Sequence, residues 1–143
     1  MSTRRETTKA LAAMMTSGFS GLAAMPALAT ADAEQRSKVH EVIQHALPDM
    51  EGKVASLVTV SYAPGAGSKP HRHPGPVFGY VLEGAIVSQV EPGPPITYRA
   101  GEAFYEPPMH VHRVSRNASK TRPAKLLAFE ITKKGQPLTI PAK

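Results

Sequence analysis

Fourteen prolines and eleven glycines in a chain of 143 residues constrain its fold more than any other feature. Proline removes a backbone donor and glycine supplies tight turns, so this frequency disfavours long helices and favours short strands joined by turns. Between the turn residues lie runs rich in β-branched side chains. Val54 to Tyr62 ends at Pro64-Gly65, Val77 to Glu83 is closed by Gly84, and Ala85 to Val90 reaches Pro92-Gly93-Pro94-Pro95. Ile96 to Arg99 stops at Ala100-Gly101, and Ala103 to Tyr105 precedes Pro107-Pro108. Val111 to Ser115 runs into a polar turn at Asn117, and Lys125 to Thr132 is the last clear strand. Such a rhythm predicts an all-β sandwich or barrel. The length predicts one domain, which at this size buries roughly two-thirds of its unfolded surface, enough for a single core.

Two N-terminal segments depart from the rhythm. Arg4 and Arg5 precede an uncharged run from Ala10 to Ala29 that ends in Ala27-Leu28-Ala29. A charged start, an apolar middle and a small-residue end predict a secretory signal peptide over residues 1–29, hence an exported, periplasmic or secreted protein. Thr3-Arg4-Arg5 with Lys9 further resembles a twin-arginine signal, although Thr7 and Thr8 stand where phenylalanine and leucine are usual. No stretch offers the roughly 20 consecutive apolar residues of a membrane span, so none is expected after cleavage. From Glu34 to Leu47, the residues Val39, Val42, Ile43, Ala46 and Leu47 fall at helical spacings, and Pro48 follows. This predicts one N-terminal helix packed outside the barrel, with residues 30–53 as helix and linker and 54–143 as the β domain. His40 and His45 would lie on different faces of that helix, at the surface.

The chain has no cysteine, which excludes disulfides and thiolate metal sites; any metal must be held by nitrogen and oxygen. A formal charge of +6 raises nucleic acid as a partner. Against it, the densest basic group (Arg113, Arg116, Lys120, Arg122 and Lys125) is interrupted by Asn117, Ala118, Ser119 and Pro123. Aromatic residues make up only 6% of the chain, so stacking platforms are scarce. A solvated turn explains the cluster at least as well as a phosphate-binding stripe, and no nucleic-acid partner is expected.

The six histidines therefore carry the search for a metal site. His71 and His73 stand two apart in Lys69-Pro70-His71-Arg72-His73-Pro74. On an extended segment, residues i and i+2 face the same way about 7 Å apart, and two imidazoles so placed can converge on one ion. Pro70, Pro74 and Pro76 stiffen the segment and lower the entropy lost in holding both rings. His112 starts another strand run, and a hairpin-rich barrel can bring it opposite the pair.

These residues fall into a pattern that resembles the cupin superfamily. Its first motif runs Gly, five residues, His-x-His, three or four residues, Glu, six residues, Gly; here Gly65, His71, His73, Val77 and Gly84 take those places. Its second runs Gly, five residues, Pro-x-Gly, two residues, His, three residues, Asn; here Gly101, Pro107, Met109, His112 and Arg116 do. Val77, or Phe78 with the longer spacing, thus stands for the glutamate ligand, Met109 for a glycine and Arg116 for the asparagine. The resemblance implies a single-domain double-stranded β-helix, or jelly-roll barrel, from about Val54 to Thr132. It also implies one divalent metal ion (Fe, Mn, Ni, Cu or Zn) on His71, His73 and His112, and a homodimer formed through edge strands.

Further groups surround the expected centre. His110 is either a fourth ligand or proton-handling residue, if the strand has already begun there, or a solvent-facing turn residue. Glu106 is a second candidate for acid–base work. Arg116 shares parity with His112 and would sit at the barrel mouth, attracting a carboxylate, or else in a surface turn. Arg72 and Arg113 follow ligands directly and should point away from the metal. Tyr62, Phe78, Tyr80, Tyr98, Phe104, Tyr105 and Phe129 are expected in the barrel core, where Phe78 and Tyr80 could line a substrate cavity. The expected function is a metal-dependent enzyme on a small organic substrate, dioxygenase-like by resemblance, with isomerase chemistry next. The alternative is a non-catalytic module that binds a small ligand or metal.

Overall fold

The computed structural model describes residues 37–143, so the expected signal peptide and the first residues of the expected helix lie outside the described residues. Eleven strands and no helix occur among the described residues. In chain order they are β1 (Ser37–Ala46), β2 (Lys53–Tyr62), β3 (Gly67–Ser68), β4 (His71–Arg72), β5 (Val77–Glu83) and β6 (Ala85–Val90). Then come β7 (Ile96–Arg99), β8 (Ala103–Glu106), β9 (Val111–Asn117), β10 (Ala124–Lys133) and β11 (Ile140–Pro141). One antiparallel sheet has the order β1-β2-β10-β5-β8; the other runs β11-β4-β9-β6-β7, with β3 also paired to β9.

The two sheets pack face to face because their strands alternate. On β10, Ala124, Leu126, Ala128, Glu130 and Thr132 are buried while their neighbours are not. On β5 the buried set is Val77, Gly79 and Val81. A period of two puts every second residue on the inner face. Tyr62, Ala66, Val81, Ile86, Phe104, Ala124 and Leu126 fill the larger apolar cluster between the sheets. Ile86, Val77 and Val81 are almost completely enclosed, and each such side chain contributes about 1.5–3 kcal/mol through burial. Farther along β10, Ala128 joins Val58 and Val77 in a smaller cluster. The next inward position is Glu130, where the interior becomes polar.

The chain changes sheets between β5 and β6, at Gly84. This residue has φ 70°, and a Cβ there would stand 2.8 Å from the Pro123 carbonyl oxygen. Any side chain would therefore meet both a backbone penalty and a wall.

Residues 37–46 are not the helix that their spacing suggests. They form β1, hydrogen-bonded along β2 from Ser37↔Tyr62 to Ala46↔Val54. A bulge between Glu41 and Ile43 shifts the alternation by one, which gives a strand the apolar spacing of a helix. Val39, Val42 and Ile43 are β-branched and exposed, as suits an edge strand. His40 and His45 sit on this strand, at the surface.

The aromatic residues also divide differently from expectation. Tyr62 and Phe104 are core, and Tyr98 packs on them. Phe78, Tyr80 and Tyr105 instead point outward, with Phe78 54% exposed. The parity of β5 decides this: Val77, Gly79 and Val81 take the inner face.

Candidate metal centre

β4 and β9 lie side by side, with His71 directly opposite His112. His73 follows on the extended segment after β4, so the three imidazoles meet on the inner side of the second sheet. Their ring centroids are 4.9 Å (His71–His73), 5.0 Å (His71–His112) and 6.3 Å (His73–His112) apart. One nitrogen from each ring can be chosen so that all three lie within 4.8 Å of one another.

Backbone carbonyls fix two of the tautomers. His71 Nδ1 donates to the Lys69 carbonyl at 2.7 Å, and His73 Nδ1 donates to the Leu138 carbonyl at 2.8 Å. In the neutral rings both Nε2 atoms are then acceptors, yet they face each other at 3.2 Å. Two lone pairs so close repel unless a cation or a proton lies between them. Two nitrogens about 2.05 Å from one ion, subtending roughly 100°, would be about 3.1 Å apart. His112 is buried; its Nε2 pairs with Ser88 Oγ at 2.9 Å, while its Nδ1 has no hydrogen-bond partner. A buried nitrogen whose polar neighbour is the Glu106 carboxylate, beside two opposed acceptors, is a donor set that a divalent metal ion fits.

Two carboxylates border the rings from the other sheet. Glu106 Oε2 is 2.8 Å from His112 Nδ1 and 3.6 Å from His73 Nε2. Glu130 Oε2 is 3.3 Å from His73 Nδ1, behind that ring, and its Oε1 is buried without a partner. Burial pulls the His71 pKa below the usual imidazole value, and the charges of His112 and His73 add to it, so the neutral, ligating form is favoured. Burial acts on His73 in the same direction. There, the contact with Glu130, the charges of both carboxylates and the Leu138 carbonyl outweigh it, and the pKa is raised. Burial pushes the Glu106 carboxyl up, but the His112 ring beside it and the charges of the three imidazoles hold it below the ordinary value.

The group lines a cavity of about 740 Å³ between the sheets, with apolar walls from Val58, Val60, Leu126, Ala128 and Leu138. Val77, at the motif's glutamate position, is part of that wall. Lys69 stands at its edge, exposed.

The chain belongs to the Cupin domain family, which matches residues 58–130.

Solved structures agree on the fold of this cupin. DMSP lyase DddQ from Ruegeria pomeroyi DSS-3 is 20% identical, with a TM-score of 0.63 over 78% of this chain and 54% of the other. A recombinant oxalate oxidase in complex with glycolate is 25% identical, with a TM-score of 0.57 over 73% of this chain and 54% of the other. KdgF from Halomonas sp. is 22% identical, with a TM-score of 0.53 over 68% of this chain and 81% of the other. The cupin thus spans about half the length of the first two. None of the curated proteins matches the chain.

The sequence-derived site residues are only partly brought together. His71, His73, His112 and Glu106 converge. His110 does not: β9 begins at Val111, so His110 remains in the turn, exposed, with Nδ1 3.0 Å from the Glu91 carbonyl. Phe78 and Tyr80 lie on the outer face, away from the cavity. Arg116 is also exposed and outside it, because β9 does not keep simple parity. Val114 pairs with Gln89 but His112 pairs with Val90, so Arg113 is an unpaired extra residue. Beyond this bulge Ser115 and Asn117 turn inward and Arg116 outward. Asn117, next to the motif's asparagine position, donates to the Ala63 and Arg122 carbonyls at 3.1 and 2.7 Å. Arg113 points outward as expected and pairs with Glu91 at 2.7 Å.

Glu130, Ser88 and the Leu138 carbonyl were not anticipated. For Glu130 a signal existed: it shares parity with Ala124, Leu126 and Ala128, an acid on an otherwise apolar face.

Proposed function

We propose that this cupin is a metal-dependent enzyme that acts on a small oxygen-bearing organic molecule in the inter-sheet cavity. His71, His73 and His112 would hold one divalent ion. The observation that carries the reading is the 3.2 Å contact of two acceptor nitrogens beside the buried His112 Nδ1, at the polar end of an apolar-walled cavity. A bound divalent ion would act as a Lewis acid and, if redox-active, would support oxidation by dioxygen. The chain's own residues do the rest. The Lys69 and Leu138 carbonyls orient two rings, and the apolar wall keeps water from the substrate's hydrocarbon part. Glu130, 3.3 Å from His73 Nδ1, holds that ring from behind. Lys69 at the edge replaces Arg116 as the group that draws in an anionic substrate. Among similar structures, one is a DMSP lyase and one is an oxalate oxidase holding glycolate, which supports a small polar ligand.

Two further parts belong to this reading. Residues 1–29 act as an export signal, of twin-arginine type, which N-terminal sequencing of the protein from a periplasmic extract checks. The protein pairs as a homodimer: β1 is a sheet edge with exposed Val39, Val42 and Ile43, and edges of this kind are usually covered. A monomer in sedimentation equilibrium at high micromolar concentration removes that part.

The alternative is a non-catalytic binding module, favoured by the absence of the motif's glutamate ligand at Val77. Elemental analysis of protein purified without chelator or histidine tag, followed by dioxygen-uptake assays with small hydroxy and keto acids, separates the readings. Near-stoichiometric iron, manganese, copper or nickel with substrate-dependent uptake supports the enzyme. Metal without turnover leaves the module. Failure to take up any divalent ion overturns both metal readings.

A further inference from the structure

Building on the metal centre above, we infer that Glu106 is its anionic ligand, supplied from β8 in place of the glutamate missing at Val77. The register of the first sheet makes this exchange possible. Val77 on β5 and Glu106 on β8 are directly opposed partners, and both side chains face inward. Opposed Cβ atoms in an antiparallel pair are about 4.5–5.5 Å apart, within the reach of a glutamate side chain. A carboxylate can therefore arrive at nearly the same place from either strand.

The contacts place it there. Glu106 is 4% exposed, and one oxygen, Oε2, touches His112 Nδ1 at 2.8 Å and His73 Nε2 at 3.6 Å. The same Nδ1 has no hydrogen-bond partner other than this carboxylate, which lies 2.8 Å from it. The His71–His73 contact brings two nitrogen acceptors together, and Glu106 adds an oxygen acceptor to the same group of rings. Glu130 differs in kind. It approaches His73 from the Nδ1 side, opposite the nitrogen that faces His71, and so positions the ring from behind. His110, tied to Glu91 in the outer turn, is not available as a fourth ligand.

Titration of the metal-free protein with Co(II), followed by calorimetry and visible absorption, tests the assignment without any assay of turnover. Glu106→Gln should weaken Co(II) binding at least tenfold and shift its visible bands, because the charge and the donor change together. Val77→Glu added to Glu106→Gln should recover most of the affinity by returning the carboxylate from the neighbouring strand. Thermal unfolding of the metal-free variants checks that each is folded, and Glu106→Asp supplies a second variant should Gln disturb the packing. Binding within twofold of the parent with unchanged bands, in folded Glu106→Gln, overturns the assignment while leaving the three-histidine centre intact. Absence of Co(II) binding in the parent protein would instead remove the centre itself.

Discussion

Three adjacent pairs of residues show how differently the two faces of one sheet are used. On the inner face, Val77, Glu106 and Glu130 lie in one row across β5, β8 and β10. Their immediate neighbours Phe78, Tyr105 and Phe129 form the matching row outside. Two buried carboxyl groups thus back onto a surface where Phe78 and Tyr105 stand about half exposed, with ring centroids 5.1 Å apart. Stability alone would favour the reverse, since burying an acid costs several kcal/mol unless it is paired, and burying an aromatic ring is favourable. The inversion teaches that the inner row is not laid out for stability alone. The cost is offset by the imidazoles and by the larger apolar cluster nearby.

The sharpest way to break the comparison is to remove a ring. His73→Ala should lower metal affinity by 100-fold or more with the far-ultraviolet spectrum unchanged, whereas His45→Ala on exposed β1 should leave affinity as it is. Isothermal titration on both variants decides it; equal loss in the two would sink the site.

Protons come next in size. Metal binding requires neutral rings, and each imidazole that must lose a proton costs about tenfold in affinity per pH unit below its pKa. His73, raised above the usual 6.5, should begin to compete first as pH falls, and His71, lowered, should follow only below 6.5. Affinity measured from pH 8 to 5 should therefore fall with a slope that steepens toward acid. A flat profile would contradict ligation by these two rings.

The inner row should also display a trade-off. Glu130→Leu removes the unpartnered Oε1 together with the 3.3 Å contact of Oε2 with His73. The metal-free protein should therefore gain about 1 kcal/mol in denaturant unfolding at alkaline pH, where the His73 ring is neutral, and lose that gain as the ring becomes charged. His73 keeps its bond to the Leu138 carbonyl, but loss of the second group behind it should weaken metal binding about tenfold. Outside, the effect should be smallest. Phe78→Thr with Tyr105→Thr should leave metal affinity within twofold and cost about 1 kcal/mol or less, the worth of an exposed aromatic pair. A large loss of metal from this pair would mean that the two faces are coupled.

How much of this was legible follows from what each signal depends on. The strands from β5 to β10, and β2, were readable because glycine and proline mark their ends and β-branched residues fill them. The His71, His73 and His112 group was readable because i, i+2 spacing and motif register survive folding. Parity was not. One bulge gave β1 a helical spacing, and another turned Arg116 out and Asn117 in; a bulge is a property of the pairing, invisible in one strand alone. Phe78 and Tyr80 are expected in the core as aromatic residues, but periodicity does not say which face of β5 is inside, and Val77, Gly79 and Val81 take the interior. β11 and the Leu138 carbonyl escaped because a two-residue strand has no periodicity and a backbone oxygen has no letter in the sequence. Met109, where the motif has glycine, does adopt the left-handed backbone at φ 63°, a cost of roughly 1–2 kcal/mol for a non-glycine residue. Its amide bonds to the His73 carbonyl at 2.8 Å, so the strained turn stays docked on a ligand segment.

The bulge at Arg113 changes how the second motif should be aligned. Taken position by position, the motif's asparagine is replaced by Arg116. Counted by hydrogen-bonded pairs, Arg113 is an additional residue that β6 does not match, and Asn117 is the fourth paired position after His112 rather than a neighbour of the fourth. Deleting Arg113 from the alignment restores the family's spacing of three residues between histidine and asparagine. Asn117, and not Arg116, thus holds the inward place, from which its amide ties the Ala63 and Arg122 carbonyls together.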